Sequence, residues 1–210
     1  YISETGVQAC ALPILAIALG LSVYALLRLR PQGLRFLRVA IPLILLLWPA
    51  VFAVGYGPVF ANPAIYDRLP NSSQARIDIW KFAFDHIRER PVLGWGMEAS
   101  RAIPGGEQTY MNGTRTYLPL HPHNGVLQVL LEQGVVGLLL TIAAVWLALT
   151  RLGQGAREEA KAAAAATLVA YLMIGFSAFG MWQTWWIATG WIAAVLWRAV
   201  ADEGSPPSAA

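Results

Sequence analysis

Apolar residues gather in stretches that set the architecture, because about 20 mostly apolar residues cross a hydrocarbon core about 30 Å thick. Residues 7–27, 39–54 and 126–149 each meet that length closely enough to predict a spanning helix, with Pro13 tolerated as a kink. The run 162–197 predicts two shorter spans, 162–180 and 181–197, with a tight turn near Gly180. Between the second and third spans the pattern changes. Residues 56–73 are rich in Gly, Pro and Asn and predict loop. Over 74–90 the period becomes helical: Trp80, Ala83, Phe84 and Ile87 fall at i, i+3, i+4 and i+7, and Arg76 lies one turn earlier on that face. Asn71, Ser72 or Ser73 can cap this amphipathic helix and Pro91 ends it. It is expected to lie along the membrane surface or to pack on the spans. A turn follows at 91–96, then a Gly/Pro/Thr-rich stretch to Pro119.

The expected organisation is therefore two spans in 1–56, an external segment 57–122, three spans in 123–198 and a disordered tail 199–210. No internal repeat is visible. Composition agrees: 57% hydrophobic and 13% charged, with a mean hydropathy of +0.51, against about 45–50% and 25% in soluble domains. That excludes disorder and argues against a water-soluble globule. The net charge of +3 does not mark a nucleic-acid surface, because 8 of the 15 Lys and Arg residues sit beside the apolar runs. Arg28, Arg30, Arg35 and Arg38, then Arg151, Arg157 and Lys161, then Arg198, assign their three regions to the cytoplasmic side. The 66-residue segment 57–122, with 7 basic and 6 acidic residues, is then outside. A chain that opens on Tyr1 outside, with five spans, is expected to be the C-terminal part of a longer membrane protein.

The external segment holds 13 of the 27 charged residues and two of the three histidines, His86 and His121, and His123 follows directly after it. Arg76 heads an apolar stripe, where its stem can snorkel and its guanidinium reach a phosphate or a carbonyl. Arg101 and Arg115 are isolated cations. His121-Pro122-His123-Asn124 runs straight into the third span. A helix N-terminus disfavours an imidazolium, so His123 is a candidate neutral base. Asn124, Gln128 and Glu132 follow at i, i+4 and i+8, a polar line expected to face a bundle interior or a cavity, or simply to cap and bridge helices. The lone Cys10 excludes an internal disulfide, and His121 and His123 lack a third ligand for zinc. Asp-x-Asp, phosphate-loop and Gly-x-Ser-x-Gly motifs are all absent.

His123-Asn124, nine residues, then Gly134-Val135-Val136-Gly137 is similar to the signature of the bacterial O-antigen ligase and polymerase superfamily. Arg76-Ile77-Asp78-Ile79-Trp80 and Arg90-Pro91-Val92-Leu93-Gly94-Trp95-Gly96 resemble the large periplasmic loop of that family. The resemblance implies an all-α, polytopic transmembrane helix bundle of GT-C-like type in the bacterial inner membrane, with its active site facing the periplasm. It implies a metal-independent, inverting glycosyltransferase without cofactor. Its donor would be a polysaccharide on undecaprenyl diphosphate and its acceptor lipid A–core, with the phospholipid bilayer as surroundings. On this resemblance His123 is the general base and Arg76 holds the diphosphate; Asn124, Trp80, Arg101, Arg115, His121 and Gln128 contact substrate. His86 and His121 are expected to be dispensable for the chemistry. Many members carry a further arginine upstream; here Ile2-Ser3-Glu4-Thr5-Gly6 offers no cation, so either Arg101 or Arg115 takes that part or the diphosphate is handled differently. An O-antigen polymerase or a protein O-oligosaccharyltransferase fits the same motifs, and a transporter or structural subunit is the reading from another class. In transporters, charges at the midplane and internal repeats are expected, and Glu132 is the only carboxylate within a span.

The orientation is directly testable. Single cysteines placed in a Cys10→Ser background should label from outside intact cells within 57–122 and stay protected within 29–37. Outside labelling at 29–37 would reverse the topology.

Overall fold

The structure, a computed structural model, describes residues 2–56, 62–110, 113–152, 157–177 and 179–203. Among them are seven α-helices: α1 (Ile2–Leu29), α2 (Gly33–Gly55), α3 (Pro63–Tyr66), α4 (Asn71–Glu89), α5 (Gly125–Arg151), α6 (Glu158–Ser177) and α7 (Thr184–Glu203). A two-residue antiparallel pair, β1 (Thr109–Tyr110) and β2 (Arg115–Thr116), aligns Thr109 with Thr116. Four helices are long and apolar enough to cross a membrane: residues 11–29 of α1, and α2, α5 and α6. Ile14, Leu21, Val39, Ile44, Leu139 and Leu140 are exposed on them, as lipid-facing residues must be. The chain is an all-α membrane protein.

The elements differ from the sequence pattern mainly at their ends. The fifth expected span corresponds to α7, whose four tryptophans and Arg198 lower its apolarity below that of the other four. The helix expected at 74–90 begins at Asn71, so Asn71, Ser72 and Ser73 lie within its first turn and Pro70 precedes it. Part of the predicted loop 56–73 is the short helix α3, which Asn62 caps by accepting the Ala64 N–H at 3.0 Å. α7 runs to Glu203, beyond the expected start of the tail; residues 204–210, and 57–61 of the loop, lie outside the described residues.

The chain divides into two compact units. The first comprises residues 1–42, 143–175 and 183–210. Small residues let its helices approach: Ala162, Ala164, Ala165 and Ala166 are buried, and Gly20 lies against the Ala166 carbonyl. Tyr171 stacks on Trp186, ring centroids 4.2 Å apart, and Trp197 donates its indole N–H to the Ala160 carbonyl at 3.1 Å. Arg28 pairs with Glu159 at 2.7 Å and Arg38 donates to the Leu149 carbonyl at 3.1 Å, so two of the basic residues of the first gap are tied down.

The second unit comprises 43–142 and 176–182. Its central event is a break in α5 at Gly134, which has φ 65° and ψ −163°. An unbroken helix would bond the Leu131 carbonyl to the Val135 N–H and the Glu132 carbonyl to the Val136 N–H. Both bonds are exchanged for bonds to residues 91–96. Trp95 and Gly96 donate their N–H groups to the Leu131 and Glu132 carbonyls at 2.9 and 2.8 Å. Val135 and Val136 donate to the Pro91 and Val92 carbonyls at 2.8 and 3.2 Å. The two backbones touch so closely that a Cβ on Gly134 would collide with Val92 and Leu93, and one on Gly94 with Glu132 and Gln133. Both glycines also have positive φ, which a side chain resists.

Gly134→Ala should therefore destabilise the protein by about 1–3 kcal/mol or more, from strain and overlap together. Gly55→Ala is the control, since a Cβ there meets nothing within 4 Å. Thermal unfolding of purified protein should show a lower midpoint for the first variant and no loss for the second.

Candidate active site

The candidate side chains from Arg76 to Glu132 all belong to the second unit. The break at Gly134 leaves Glu132 wholly buried at the end of the first half of α5. Its carboxylate gathers donors from three directions. One oxygen accepts the Ser100 hydroxyl at 2.5 Å, the Ser100 N–H at 3.4 Å and the Gln128 amide at 3.2 Å. The other accepts the Glu98 N–H at 2.9 Å and the Trp182 indole N–H at 2.5 Å. A buried carboxylate is tolerated when its lone pairs are filled in this way. The result is structural: the turn Ala99–Arg101, which carries the exposed cation Arg101, is fixed to α5.

Gln128 completes the same network, its carbonyl oxygen accepting the Met181 N–H at 3.0 Å. Asn124 caps α5, its side-chain oxygen accepting the Leu127 N–H at 3.2 Å. The polar line of the sequence is thus a cap and a bridge, with both Gln128 and Asn124 buried and bonded to protein.

Two contacts shape the turn before α5. Trp80 on α4 donates its indole N–H to the Pro122 carbonyl at 2.9 Å, and its ring packs edge-on against Phe52, 5.5 Å between centroids. His121 is buried, and its Nδ1 accepts the His123 N–H at 3.2 Å. The two imidazoles meet edge to face at 4.4 Å. His123 stands just outside the helix with φ 51°, a left-handed conformation that this local bond supports. The helix begins at Gly125, directly after the His-Pro-His-Asn run.

The electrostatics show which residues gather here. His121 is pushed down to about 4, first by burial, then by its neighbours His123, Arg101 and Arg76. Arg76 is half-buried, donates to the Ser177 carbonyl at 3.3 Å, and has its pKa lowered by burial. His121, His123, Arg76 and Arg101 thus lie near one another, with the two arginines supplying the positive charge. Arg115 does not join it. Its Nη2 donates to the Asn71 carbonyl at 2.9 Å and its Nη1 stands 3.9 Å from Asp78. Asp78 is two residues from Arg76, about 200° around α4. Among the described residues no three His, Cys, Asp or Glu side chains gather as a metal site requires.

A family model described as O-antigen ligase matches residues 11–142, more than half of the chain. The chain belongs to the O-antigen ligase family. Curated relatives provisionally named polysaccharide ligase are similar to it. Those of Rickettsia conorii and Rickettsia prowazekii are 36% identical over 129 residues, and one of Rickettsia felis is 34% identical over the same length. These matches cover 60% of the chain and 31–32% of the relatives, so the chain spans less than a third of their length. No solved structure matches the chain. The region matched by the O-antigen ligase model contains α4, the His-Pro-His-Asn turn and the Gly134 break, the parts on which the cluster is built.

Glu132, Ser100 and Trp182 are the residues that sequence reasoning did not place at the site. The i, i+8 spacing of Glu132 from Asn124 was the available signal, but its partners on the loop and at 182 have no periodicity to reveal them.

The His121 assignment has a spectroscopic consequence. With Nδ1 accepting a backbone N–H, the neutral ring carries its proton on Nε2. The unfolded chain binds that proton more readily, so the contribution of His121 to stability is complete above 6.5 and declines as pH falls toward 4. With only three histidines, ¹⁵N-histidine labelling resolves each ring. His121 should show the Nε2-protonated tautomer and a midpoint near 4; a midpoint at the ordinary 6.5 would contradict the geometry.

Proposed function

We propose that this chain forms the catalytic part of a membrane glycosyltransferase that transfers a polysaccharide from undecaprenyl diphosphate to lipid A–core. The single observation that carries the reading is the convergence of His123, Arg76 and Arg101 on the buried His121. Membership in the O-antigen ligase family supports it. The cluster offers what glycosyl transfer from a diphosphate needs without metal: a base, and cations for the leaving group.

In this mechanism His123 accepts the proton of an acceptor hydroxyl. The hydroxyl oxygen forms a bond to the anomeric carbon as that carbon's bond to the diphosphate oxygen breaks, inverting the configuration. The electron pair leaves with undecaprenyl diphosphate, whose growing charge Arg76 and Arg101 stabilise. Arg101 then takes the part that other members give to an upstream arginine, and Arg115 serves Asp78 instead. His121 acts through its neighbour: by accepting the His123 N–H it fixes the backbone that aims the base. That role revises the expectation that His121 is dispensable. The reaction takes place on the periplasmic face of the inner membrane.

A positioned base is typically worth about 10²–10⁴-fold. In a strain whose lipopolysaccharide ligation depends on this protein, His123→Ala should abolish the ladder of capped lipid A–core while membrane protein level is maintained. His86→Ala should leave it intact. Arg76→Lys should fail nearly as completely as Arg76→Ala, because an ammonium cannot reproduce the two-pronged grip on phosphate. A full ladder from His123→Ala would remove the base from the mechanism, and a working Arg76→Lys would make Arg76 an ordinary surface cation.

A further inference from the structure

The face of α4 opposite Arg76 borders a cavity of about 340 Å³ that the transfer mechanism leaves unused. Its floor is polar. Asp78 accepts the Tyr66 hydroxyl at 2.8 Å and the Tyr110 hydroxyl at 2.9 Å, and Arg115 backs it at 3.9 Å. Burial and the bonds to Asp78 raise the pKa of both tyrosines, so both present neutral hydroxyls. Arg115 stands behind the floor and is not part of the lining. At the rim Lys81 pairs with Asp85 at 2.8 Å.

One wall is aromatic. Tyr110 and Tyr117 stack at 4.7 Å with 20° between their planes, and Phe82 continues the stack beyond Tyr117 at 5.8 Å and 22°. Tyr117 is 37% exposed, so part of the stack is open to a ligand.

These features select a chemistry. Each carboxylate is matched by a cation, so the lining favours neither a phosphate nor a metal ion nor an ammonium group. Stacked rings offer an apolar surface with polar edges. The volume lies at the lower end of the range of about 300–1,000 Å³ usual for small-molecule sites. A pyranose fits all three conditions, being neutral, amphipathic by face and ringed by hydroxyls that can bond carboxylates and phenols together.

We propose that this cavity is a saccharide subsite that holds one neutral sugar residue of a glycan substrate against the Tyr110–Tyr117–Phe82 stack, with its hydroxyls on Asp78 and Asp85. The assignment rests on the glycan-transfer reading for its biological meaning and on the cavity alone for its chemistry. Because α4 separates the two faces, the subsite positions a sugar unit away from the reacting bond.

The test is binding, independent of turnover. Saturation-transfer NMR on the full-length protein in lipid nanodiscs would use methyl glycosides of glucose, galactose, mannose, rhamnose and N-acetylglucosamine as probes, with choline as the cationic competitor for aromatic walls. At least one glycoside should bind, and Tyr117→Ala and Asp85→Asn should each weaken it by about tenfold, the scale expected when a bonded or stacked partner is lost. Asp85 is half exposed, so that variant folds whatever becomes of the stack. His123→Ala should bind as the wild type does. Binding by no glycoside, binding unchanged in both wall variants, preference for choline, or loss in His123→Ala would each overturn the subsite. Loss of the ligation reading alone would leave glycoside binding in place, so the two failures are distinguishable.

Discussion

A backbone polar group at membrane depth has no water to turn to, and the break in α5 is arranged around that constraint. The four groups that Gly134 releases from helical bonding are the four that residues 91–96 satisfy. The segment between α2 and α5 is consequently part of the helix's own hydrogen-bond ladder rather than a loop laid over it. Everything that follows in the second unit depends on this crossing. It buries Glu132, and Glu132 in turn fixes the turn that carries Arg101. It also leaves the first half of α5 almost wholly buried, while Val135, Val136, Leu139 and Leu140 beyond the break are exposed.

The cluster of His121, His123, Arg76 and Arg101 is assembled from three supports with different physics. Asn124 satisfies the end of α5, Trp80 holds the Pro122 carbonyl, and the Glu132 network holds the 98–101 turn. None of these places a flexible side chain in direct charge of another. Each fixes backbone, and backbone carries the clustered side chains. Positioned cations and bases that need no reorganisation at the moment of reaction are the usual source of catalytic stabilisation.

Much of this was legible in the sequence, for identifiable reasons. Helical spans and the amphipathic stripe of α4 announce themselves by period, and the His-Asn and Gly-x-x-Gly residues by their order. The gathering of His123 with Arg76 followed from the resemblance and not from periodicity. What could not be read was contact between segments remote in sequence. Ser100 and Trp182 meet Glu132 from 32 and 50 residues away. Arg115 looked like Arg101 in composition and context, yet Asp78 claims it, because the β1–β2 pair turns it to the other side of α4. The expected start of α4 came too late because Asn and Ser read as caps, while Pro70 occupies the N-cap position and Asn71 is the first helical residue.

The donors around Glu132 also impose an order on how the protein is made. Glu98 and Ser100 precede the carboxylate in the chain, whereas Trp182 follows it. As the polypeptide leaves the ribosome from its N-terminal end, the carboxylate meets its earlier partners first and waits for the last. Until residue 182 has been inserted, one strong donor is missing from an acidic group with no water to replace it. Met181, which bonds Gln128, arrives in the same stretch. Closure of the network is therefore a late event in biogenesis, and a nascent chain stopped before that stretch holds its arginines and histidines without the fastening that orders them.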